Sequence, residues 1–225
     1  MVFRENTEGL YVSIGGSFKP GTPDELTIAE EINTRRGVER IIRHAFEWAR
    51  ANGRKRVTMA DKSNAIPAHG LWRRTFEEVG REFPELTRDT RYIDALAMEL
   101  VRNPESFQVL VMGNLFGDII SDLASGLVGG LGMAPSANRH PGKVAMFEPV
   151  HGSAPPLAGK DVANPMAAIL TVGMMLDGLG FGEAARAVEA AVRAAIDAEI
   201  TTPDIGGRKG TREVGAWIAD RLRRR

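Results

Sequence analysis

The chain has 225 residues, of which 43% are hydrophobic and 26% are charged, and its 29 basic residues balance its 29 acidic ones. This balance excludes an overall field that would draw the chain to nucleic acid or to an anionic membrane. The chain has no cysteine, which excludes disulfides, thiolate metal sites and a cysteine nucleophile and fits a cytoplasmic protein.

Predicted strands and helices alternate through the first half of the chain. Residues 1–12 are predicted to form a strand interrupted by a polar motif, and the Gly- and Pro-rich residues 15–23 a loop or exposed arm, which a short strand at Leu26–Ala29 follows. Apolar residues at helical spacing predict helices, the first of them capped by Thr34, over residues 34–51, 71–83, 91–100 and 116–125. Short apolar runs predict strands over residues 56–59 and 107–112.

The second half begins with a glycine run at residues 126–132. Because the run follows a helix, it lacks the strand–GxGxxG–helix order of a dinucleotide-binding turn and is predicted to end that helix. A strand at residues 144–147, a structured loop at 150–164, and helices from Asn164-Pro165 and over residues 182–198 complete an α/β pattern.

No segment of the sequence indicates a membrane span or a signal peptide. The longest apolar stretch, residues 166–176, is interrupted by Gly173 and is shorter than the run of about 20 apolar residues that crosses a bilayer. The N-terminus carries Arg4 and Glu5 where a signal peptide would need an apolar run. We therefore expect a soluble, cytoplasmic chain.

Three aspartates are candidate metal ligands. Asp118 and Asp122, in Asn114-Leu-Phe-Gly-Asp-Ile-Ile-Ser-Asp, lie four residues apart, and a helix would place them on one face about 6 Å apart. Their repulsion is relieved if a cation binds between them, and oxygen ligands suit Mg²⁺ or Mn²⁺. The alternative is a solvated acidic face near a helix start. Asp94 lies among apolar residues and needs a partner if buried, which an ordinary salt bridge or cap could also supply.

Other candidates follow predicted strands or flank the first polar motif. Lys62 comes directly after a strand, where α/β proteins place ligands, and could bind an anion or act as a general base, although a surface lysine is the plainer interpretation. Arg4 offers a planar fork for a carboxylate, and Tyr11 could donate a proton. Small residues near residue 151 would let a ligand approach the backbone closely.

Five motifs in this order resemble the isocitrate/isopropylmalate dehydrogenase family. They are Arg-Glu-Asn-Thr-Glu-Gly-Leu-Tyr (4–11), Asp-Lys-Ser-Asn (61–64), Asn-Leu-Phe-Gly-Asp-Ile-Ile-Ser-Asp (114–122), Glu-Pro-Val-His-Gly-Ser-Ala-Pro (148–155) and Thr-Pro-Asp-Ile-Gly-Gly (202–207). The resemblance runs the whole length of the chain and implies an α/β, isopropylmalate dehydrogenase-like two-domain fold. Residues 1–127 would form the smaller substrate, metal and dimerisation domain, and residues 128–225 the C-terminal half of the dinucleotide-binding domain. Family members carry further sequence before the first motif, so we expect the N-terminal part of the dinucleotide-binding domain to be missing.

The resemblance also implies a role for each candidate residue. Arg4 would hold a substrate carboxylate, Tyr11 would protonate the enol left by decarboxylation, and Lys62 would serve as, or relay to, the base that takes the hydroxyl proton. The metal ligands for Mg²⁺ or Mn²⁺ would be Asp94, Asp118 and Asp122. Lys62 and one acidic ligand would come from the partner subunit of a homodimer. The cofactor-binding residues would be Asn64, His151, Gly152, Ser153, Ala154, Pro155 and Asn164.

The implied activity is the oxidation and decarboxylation of a small 2-hydroxy diacid. Pro156-Leu157 stands where NADP-preferring members have Lys-Tyr, so the missing cation favours NAD over NADP, although the acidic residue of NAD-preferring members is missing too. The motifs are similar to the 3-isopropylmalate and tartrate/D-malate branches first, and to the homoisocitrate and isocitrate branches next.

Two alternatives remain open. A non-catalytic regulatory subunit would have a substitution at Tyr11, Lys62 or one of the aspartates, and all five positions are intact. An inactive fragment would leave an unpaired sheet edge and an exposed apolar face.

Overall fold

The computed structural model describes residues 1–140, 142 and 144–224 of the chain. In it the chain forms two structural units, Met1–Leu123 and Ala124–Arg225. The boundary predicted from the sequence, between residues 127 and 128, lies four residues further along. The roles that the family resemblance gives to the two parts stay predictions.

Strands and helices alternate through most of the first half of the chain, as the sequence predicts. In chain order they are β1 (Val2–Arg4), β2 (Gly15–Phe18), β3 (Leu26–Ala29), α1 (Arg35–Ala51), β4 (Arg56–Asp61), α2 (Gly70–Gly80), β5 (Thr87–Tyr92), α3 (Ile93–Arg102), β6 (Val109–Met112), α4 (Asn114–Leu127), β7 (Pro135–Arg139), β8 (Ala145–Pro149), α5 (Met166–Gly178), α6 (Gly182–Asp197) and α7 (Thr211–Arg223).

Four strands of the first unit form a parallel sheet in the order β1-β6-β4-β5. Successive residues of a strand face opposite sides of a sheet. Val57 and Met59 of β4 therefore pack on the side covered by α1 and α2, whereas Ala60 packs on the side covered by α3 and α4. All four residues of β6 are buried, because both faces of the sheet are covered.

The carboxyl ends of these strands lie at one edge of the sheet, because the strands are parallel. Helix α2, which follows β4, packs on one face, and α4, which follows the neighbouring β6, packs on the other. In α/β proteins, ligands bind in the crevice between adjacent strands whose following helices diverge in this way. The fold thus indicates a site beyond Asp61 of β4 and Met112 of β6.

Helix α1 is held by a cap at its start and by aromatic packing along its buried face. The Oγ1 atom of Thr34 accepts a hydrogen bond from the backbone N–H of Gly37 at 3.1 Å, as the sequence predicts for a cap. Phe46 is fully buried, and its ring centroid lies 5.2 Å from that of Phe76 and 5.2 Å from that of Phe83. These rings join α1 and α2 into one core.

Strands β2 and β3 pair as an antiparallel hairpin, Gly15–Ala29, which is called the arm here. Both strands are exposed throughout. The sequence predicts β3 correctly but predicts a loop or arm where β2 forms. Two of the four residues of β2 are glycine, so no strand pattern is visible in it, and pairing with β3 imposes the extended conformation.

Three other local expectations differ from the structure. Leu10–Val12 forms a 3-10 turn rather than a strand, since Gly9 before it has φ 87° and redirects the chain. Strand β5 was not predicted, because at the sheet edge its charged residues need no apolar alternation. Strand β7, Pro-Ser-Ala-Asn-Arg, has no apolar pattern either and is ordered by pairing with β8.

The second unit packs α5, α6 and α7 around a core that includes Met166, Val192 and Ile218. The β7–β8 hairpin lies against α5, where Gly178 leaves room for Phe147: a Cβ at that position would lie 3.2 Å from the ring. The strand predicted at residues 144–147 forms as β8, and the helices predicted from Asn164-Pro165 and over residues 182–198 form as α5 and α6. Within the described ranges, no helix combines the length and the apolar character that a bilayer span requires.

Replacing Phe46 with Ala should destabilise the first unit by about 3–5 kcal/mol, because the cavity loses contacts to two neighbouring rings. Urea denaturation followed by circular dichroism measures the change. Glu47→Ala, at an exposed position of the same helix, is the matched control and should change the unfolding free energy by less than about 0.5 kcal/mol. Equal losses in the two variants would contradict the packing described.

Candidate active site

The first group of site residues lies where β1 and β6 end, and Arg4, Tyr11, Asn114 and Asp118 are called the arginine cluster here. Arg4 Nη1 forms an ion pair with Asp118 Oδ1, while its Nε and Nη2 donate to Asn114 Oδ1 at 2.9 and 2.8 Å. Tyr11 Oη donates to Asp118 Oδ2 at 3.1 Å. One planar guanidinium therefore holds an amide and a carboxylate in fixed positions, and that carboxylate binds the phenol.

Two glycines permit this close approach. A Cβ on Gly117 would lie 2.5 Å from Cγ of Arg4, so no larger residue fits between α4 and β1 there. Gly9 has φ 87°, and a Cβ on it would lie 3.0 Å from Cβ of Asn114. The loop that leads to Tyr11 thus requires glycine for its backbone conformation and for its fit.

Two residues of the first motif, Glu5 through its carboxylate and Glu8 through its backbone carbonyl, stabilise the loop between Arg4 and Tyr11. Glu5 is 4% exposed and accepts hydrogen bonds from the backbone N–H groups of Thr7 and Glu8 and from the guanidinium of Arg40. The backbone carbonyl of Glu8 accepts a hydrogen bond from Asn114 Nδ2 at 2.8 Å. These contacts fix the path of the chain between the two functional side chains of the motif.

The second group lies where β4 and β5 end, and Lys62 and Asp94 are called the lysine cluster here. Lys62 Nζ lies 2.7 Å from Asp94 Oδ1. This hydrogen bond is the main cause that lowers the pKa of the Asp94 carboxyl below its ordinary value. Asp61, 1% exposed, is paired with Arg73 at 2.7 Å and secures the end of β4 before the lysine, whereas Asn64 is exposed.

The phenol of Tyr11 faces a carboxylate in this site. Desolvation raises its pKa above the ordinary value, and the hydrogen bond and the charge of Asp118 raise it further, whereas Arg4 opposes them. The phenol therefore stays protonated at neutral pH and remains able to donate.

The predicted cofactor residues of the second unit lie between β8 and α5. Residues 152–155 are exposed, Ala154 has φ 44°, and His151 Nδ1 lies 2.8 Å from the carbonyl oxygen of Gly152. Asn164 Nδ2 donates to Asp204 Oδ2 at 3.0 Å, and Asn164 Oδ1 accepts the first backbone N–H of α5 at 2.9 Å. Asn164 thus joins the start of α5 to the last of the family-like motifs.

The sequence model of the isocitrate/isopropylmalate dehydrogenase family matches residues 1–218. The chain belongs to this family. It is 44% identical to the homoisocitrate dehydrogenase of Methanocaldococcus jannaschii, over 100% of this chain and 63% of that protein. It is also 44% identical to the 3-isopropylmalate dehydrogenase of Beutenbergia cavernae, over 99% of this chain and 63% of that protein.

A solved structure agrees in fold. The crystal structure of isocitrate dehydrogenase from Methylococcus capsulatus matches with a TM-score of 0.92 and 44% identity, over 99% of this chain and 66% of that one. The predicted family and α/β fold are therefore confirmed. The chain spans about 63% of the length of the two relatives named above.

Of the three predicted metal ligands of this family member, one belongs to each cluster and the third to neither. Asp118 belongs to the arginine cluster, Asp94 belongs to the lysine cluster, and Asp122 is exposed one turn further along α4. Across residues 1–140, 142 and 144–224, no three His, Cys, Asp or Glu side chains come together as a metal site. Asp118 and Asp122 thus lie one turn apart on α4, and the described residues of one chain do not add Asp94 to them as a third ligand.

Asn114, Glu31 and His69 have no role that the sequence patterns predict. Asn114 is 4% exposed and directly follows buried strand β6, so its polar character at that edge was an available signal. Glu31 and His69 bind each other across 38 residues of sequence, and no local pattern predicts such a contact.

Asp118→Asn should lower the pKa of Tyr11 toward its ordinary value, because it removes the charge that disfavours the phenolate and leaves Arg4 to attract it. The chain has two tyrosines, so an ultraviolet titration in a Tyr92→Phe background reports on Tyr11. Asp122→Asn is the matched control on the same helix and should move the midpoint less. Identical midpoints in the two variants would argue against the Tyr11–Asp118 contact.

Proposed function

We propose that this chain, as a homodimer, catalyses the NAD⁺-dependent oxidation and decarboxylation of a small 2-hydroxy diacid that carries a β-carboxylate. The arginine cluster is the observation that carries the proposal: a guanidinium suited to a carboxylate, a protonated phenol and a carboxylate suited to a metal ion meet at the carboxyl edge of the sheet. Family membership supports the class of reaction.

Each side chain has one task in this reaction. Arg4 presents its planar donors to a substrate carboxylate. Lys62 takes the proton of the 2-hydroxyl, or relays it, while the hydride on C2 passes to NAD⁺. The β-carboxylate then leaves as CO₂, and Tyr11 returns a proton to the carbon that carried it. The raised pKa of Tyr11 keeps that proton available until this step.

A divalent cation fits the donors that the clusters supply. Asp118, Asp122 and Asp94 offer only oxygen, which suits Mg²⁺ or Mn²⁺. Bound there, such an ion supplies Lewis-acid stabilisation of negative charge on substrate oxygen. The three aspartates do not gather within one chain over the residues that the structure describes, so Asp94 and Lys62 would come from the second copy.

Exposed apolar side chains support the homodimer. Phe18 and Leu26 of the arm are 57% and 54% exposed, and Val101 of α3 and Ile119 of α4 are 59% and 55% exposed. Large apolar side chains that are this exposed are typical of surfaces that another protein covers. A second copy that covers α3 and α4 would also bring its lysine cluster toward the arginine cluster.

NAD⁺ is the proposed hydride acceptor, and its proposed binding residues in the second unit are Asn164 and the loop at residues 151–155. Pro156 and Leu157 follow that loop, so no cation stands there for the 2′-phosphate of NADP⁺. Candidate substrates are the dicarboxylates 3-isopropylmalate and tartrate or D-malate first, and the tricarboxylates homoisocitrate or isocitrate, which have the same 2-hydroxy and β-carboxylate groups, next. The 44% identity to relatives named for 3-isopropylmalate and homoisocitrate supports both groups, and the absence of cysteine supports a cytoplasmic reaction.

A panel of these acids, assayed with Mn²⁺ and either NAD⁺ or NADP⁺, should give reduced cofactor and CO₂ in equal amounts with at least one acid, and faster with NAD⁺. Asp118→Asn should lower turnover on the order of 100-fold and raise the Mn²⁺ concentration required, because it removes a proposed ligand charge. Asp197→Asn, exposed on α6, is the control and should retain turnover. Absence of product with every acid would contradict the proposed reaction.

Mixing the chains Tyr11→Phe and Lys62→Met should restore activity that each lacks alone, because a hybrid dimer has one site with both residues intact. Subunits unfolded and refolded together should recover about a quarter of the unsubstituted rate, since half of the dimers are hybrids with one intact site of two. The double variant mixed with itself is the control. No recovery, with dimers verified by light scattering, would argue against shared sites.

A further inference from the structure

Consecutive residues at the base of the arm bind different elements of the first unit, and Glu31–Thr34 is called the arm base here. Ile32 pairs with Gly9 through two backbone hydrogen bonds of 2.7 and 3.1 Å, which ties the arm base to the loop before Tyr11. Asn33 Oδ1 accepts a hydrogen bond from Trp72 Nε1 of α2 at 3.0 Å. The arm base is therefore bound both to the loop before Tyr11 and to helix α2.

His69 connects the arm base to the lysine cluster. It is 3% exposed, and its Nε2 lies 2.9 and 3.1 Å from the two carboxylate oxygens of Glu31. Its Nδ1 accepts a hydrogen bond from the backbone N–H of Lys62 at 3.1 Å. The ring also packs edge-on against Phe116, with centroids 5.5 Å apart. Contacts from three segments therefore fix the imidazole.

The two hydrogen bonds define where the imidazole carries its hydrogen. Because Nδ1 accepts from Lys62, it holds a lone pair, and the neutral ring carries its hydrogen on Nε2, which donates to Glu31. The same bond lowers the pKa of the Glu31 carboxyl and keeps it ionised. Glu31 thus selects the tautomer of His69 that can hold the lysine backbone.

The backbone of Lys62 is bound on both sides. His69 binds its N–H, and its carbonyl oxygen accepts hydrogen bonds from the N–H groups of Ala65 and Ile66 at 2.9 and 2.8 Å. A lysine side chain is long and flexible, so the place that Nζ reaches depends on where the backbone is anchored. Here the anchored backbone places Nζ against Asp94 at the sheet edge.

We propose that the Glu31–His69 pair positions Lys62 for proton transfer, with His69 holding the lysine backbone and Glu31 setting the tautomer of His69. The inference rests on the proposed function for the role of Lys62 and adds two positioning residues to that reaction.

Two variants of His69 separate its two bonds. An Asn side chain places an acceptor oxygen near the position of Nδ1, so His69→Asn can keep the bond to Lys62. A Gln side chain reaches the position of Nε2, so His69→Gln can keep only the bond to Glu31. The readouts are hydrogen exchange at the Lys62 amide, measured by NMR, and kcat and KM for the acid that the panel identifies.

In His69→Gln the Lys62 amide should exchange about tenfold faster, because it loses its acceptor. The kcat value should fall about tenfold or more, since a displaced catalytic group loses rate steeply, while KM for the acid changes less than about twofold. His69→Asn should stay near the unsubstituted chain in both readouts. Glu31→Ala should speed exchange, and Glu31→Gln, whose amide oxygen still accepts from Nε2, should restore slow exchange.

His44 of α1 supplies the matched control, since its ring packs edge-on against Phe3 of β1, with centroids 5.5 Å apart. His44→Asn and His44→Gln should not differ from each other in either readout. Slow exchange in His69→Gln, or equal loss of kcat in His69→Asn and His69→Gln, would overturn the positioning role. A chain that turns over no acid but still shows the exchange difference would instead refute the proposed function.

Discussion

Parallel pairing of four strands is the constraint on which the site depends. Hydrogen bonding of β1 to β6, of β6 to β4 and of β4 to β5 brings four strand ends to one edge, although the residues after them are far apart in sequence. Arg4 meets Asp118 across 114 positions of the chain, and Lys62 meets Asp94 because each lies just after one of the paired parallel strands β4 and β5. Both pairs depend on the pairing of these strands, so the positions of the site's side chains are a consequence of strand order.

Four carboxylates near this edge are each paired with a cation: Glu5 with Arg40, Asp61 with Arg73, Asp94 with Lys62 and Asp118 with Arg4. Glu5 and Asp61 are 4% and 1% exposed, and an unpaired charge is costly when it is buried, so pairing removes most of that cost for these two. A diacid and a divalent cation that enter together add no net charge, so the proposed ligands leave this balance intact.

Sequence patterns predicted the elements whose cause is local and missed those whose cause is a distant partner. Thr34 and the apolar spacing after it define α1 through the cap and the buried stripe alone, and the family motifs located both clusters. Strand β2 and the 3-10 turn at Tyr11 depend on pairing and on the conformation of Gly9, which neighbouring residues do not reveal. His69 is the clearest case, since its role is defined by Glu31 and by a backbone amide, and neither lies next to it in sequence.

Among the described residues, strand β1 lies at an edge of the sheet and pairs only with β6. Elements bound on one side can open locally at a free energy below that of global unfolding. Such an opening would carry Arg4 away from Asn114 and Asp118 and Phe3 away from His44, and it would leave the stacked rings of the α1–α2 core in place. Warming or mild denaturant would then abolish recognition of a carboxylate while circular dichroism still reported a folded chain. The molecule would lose its function before it loses its fold.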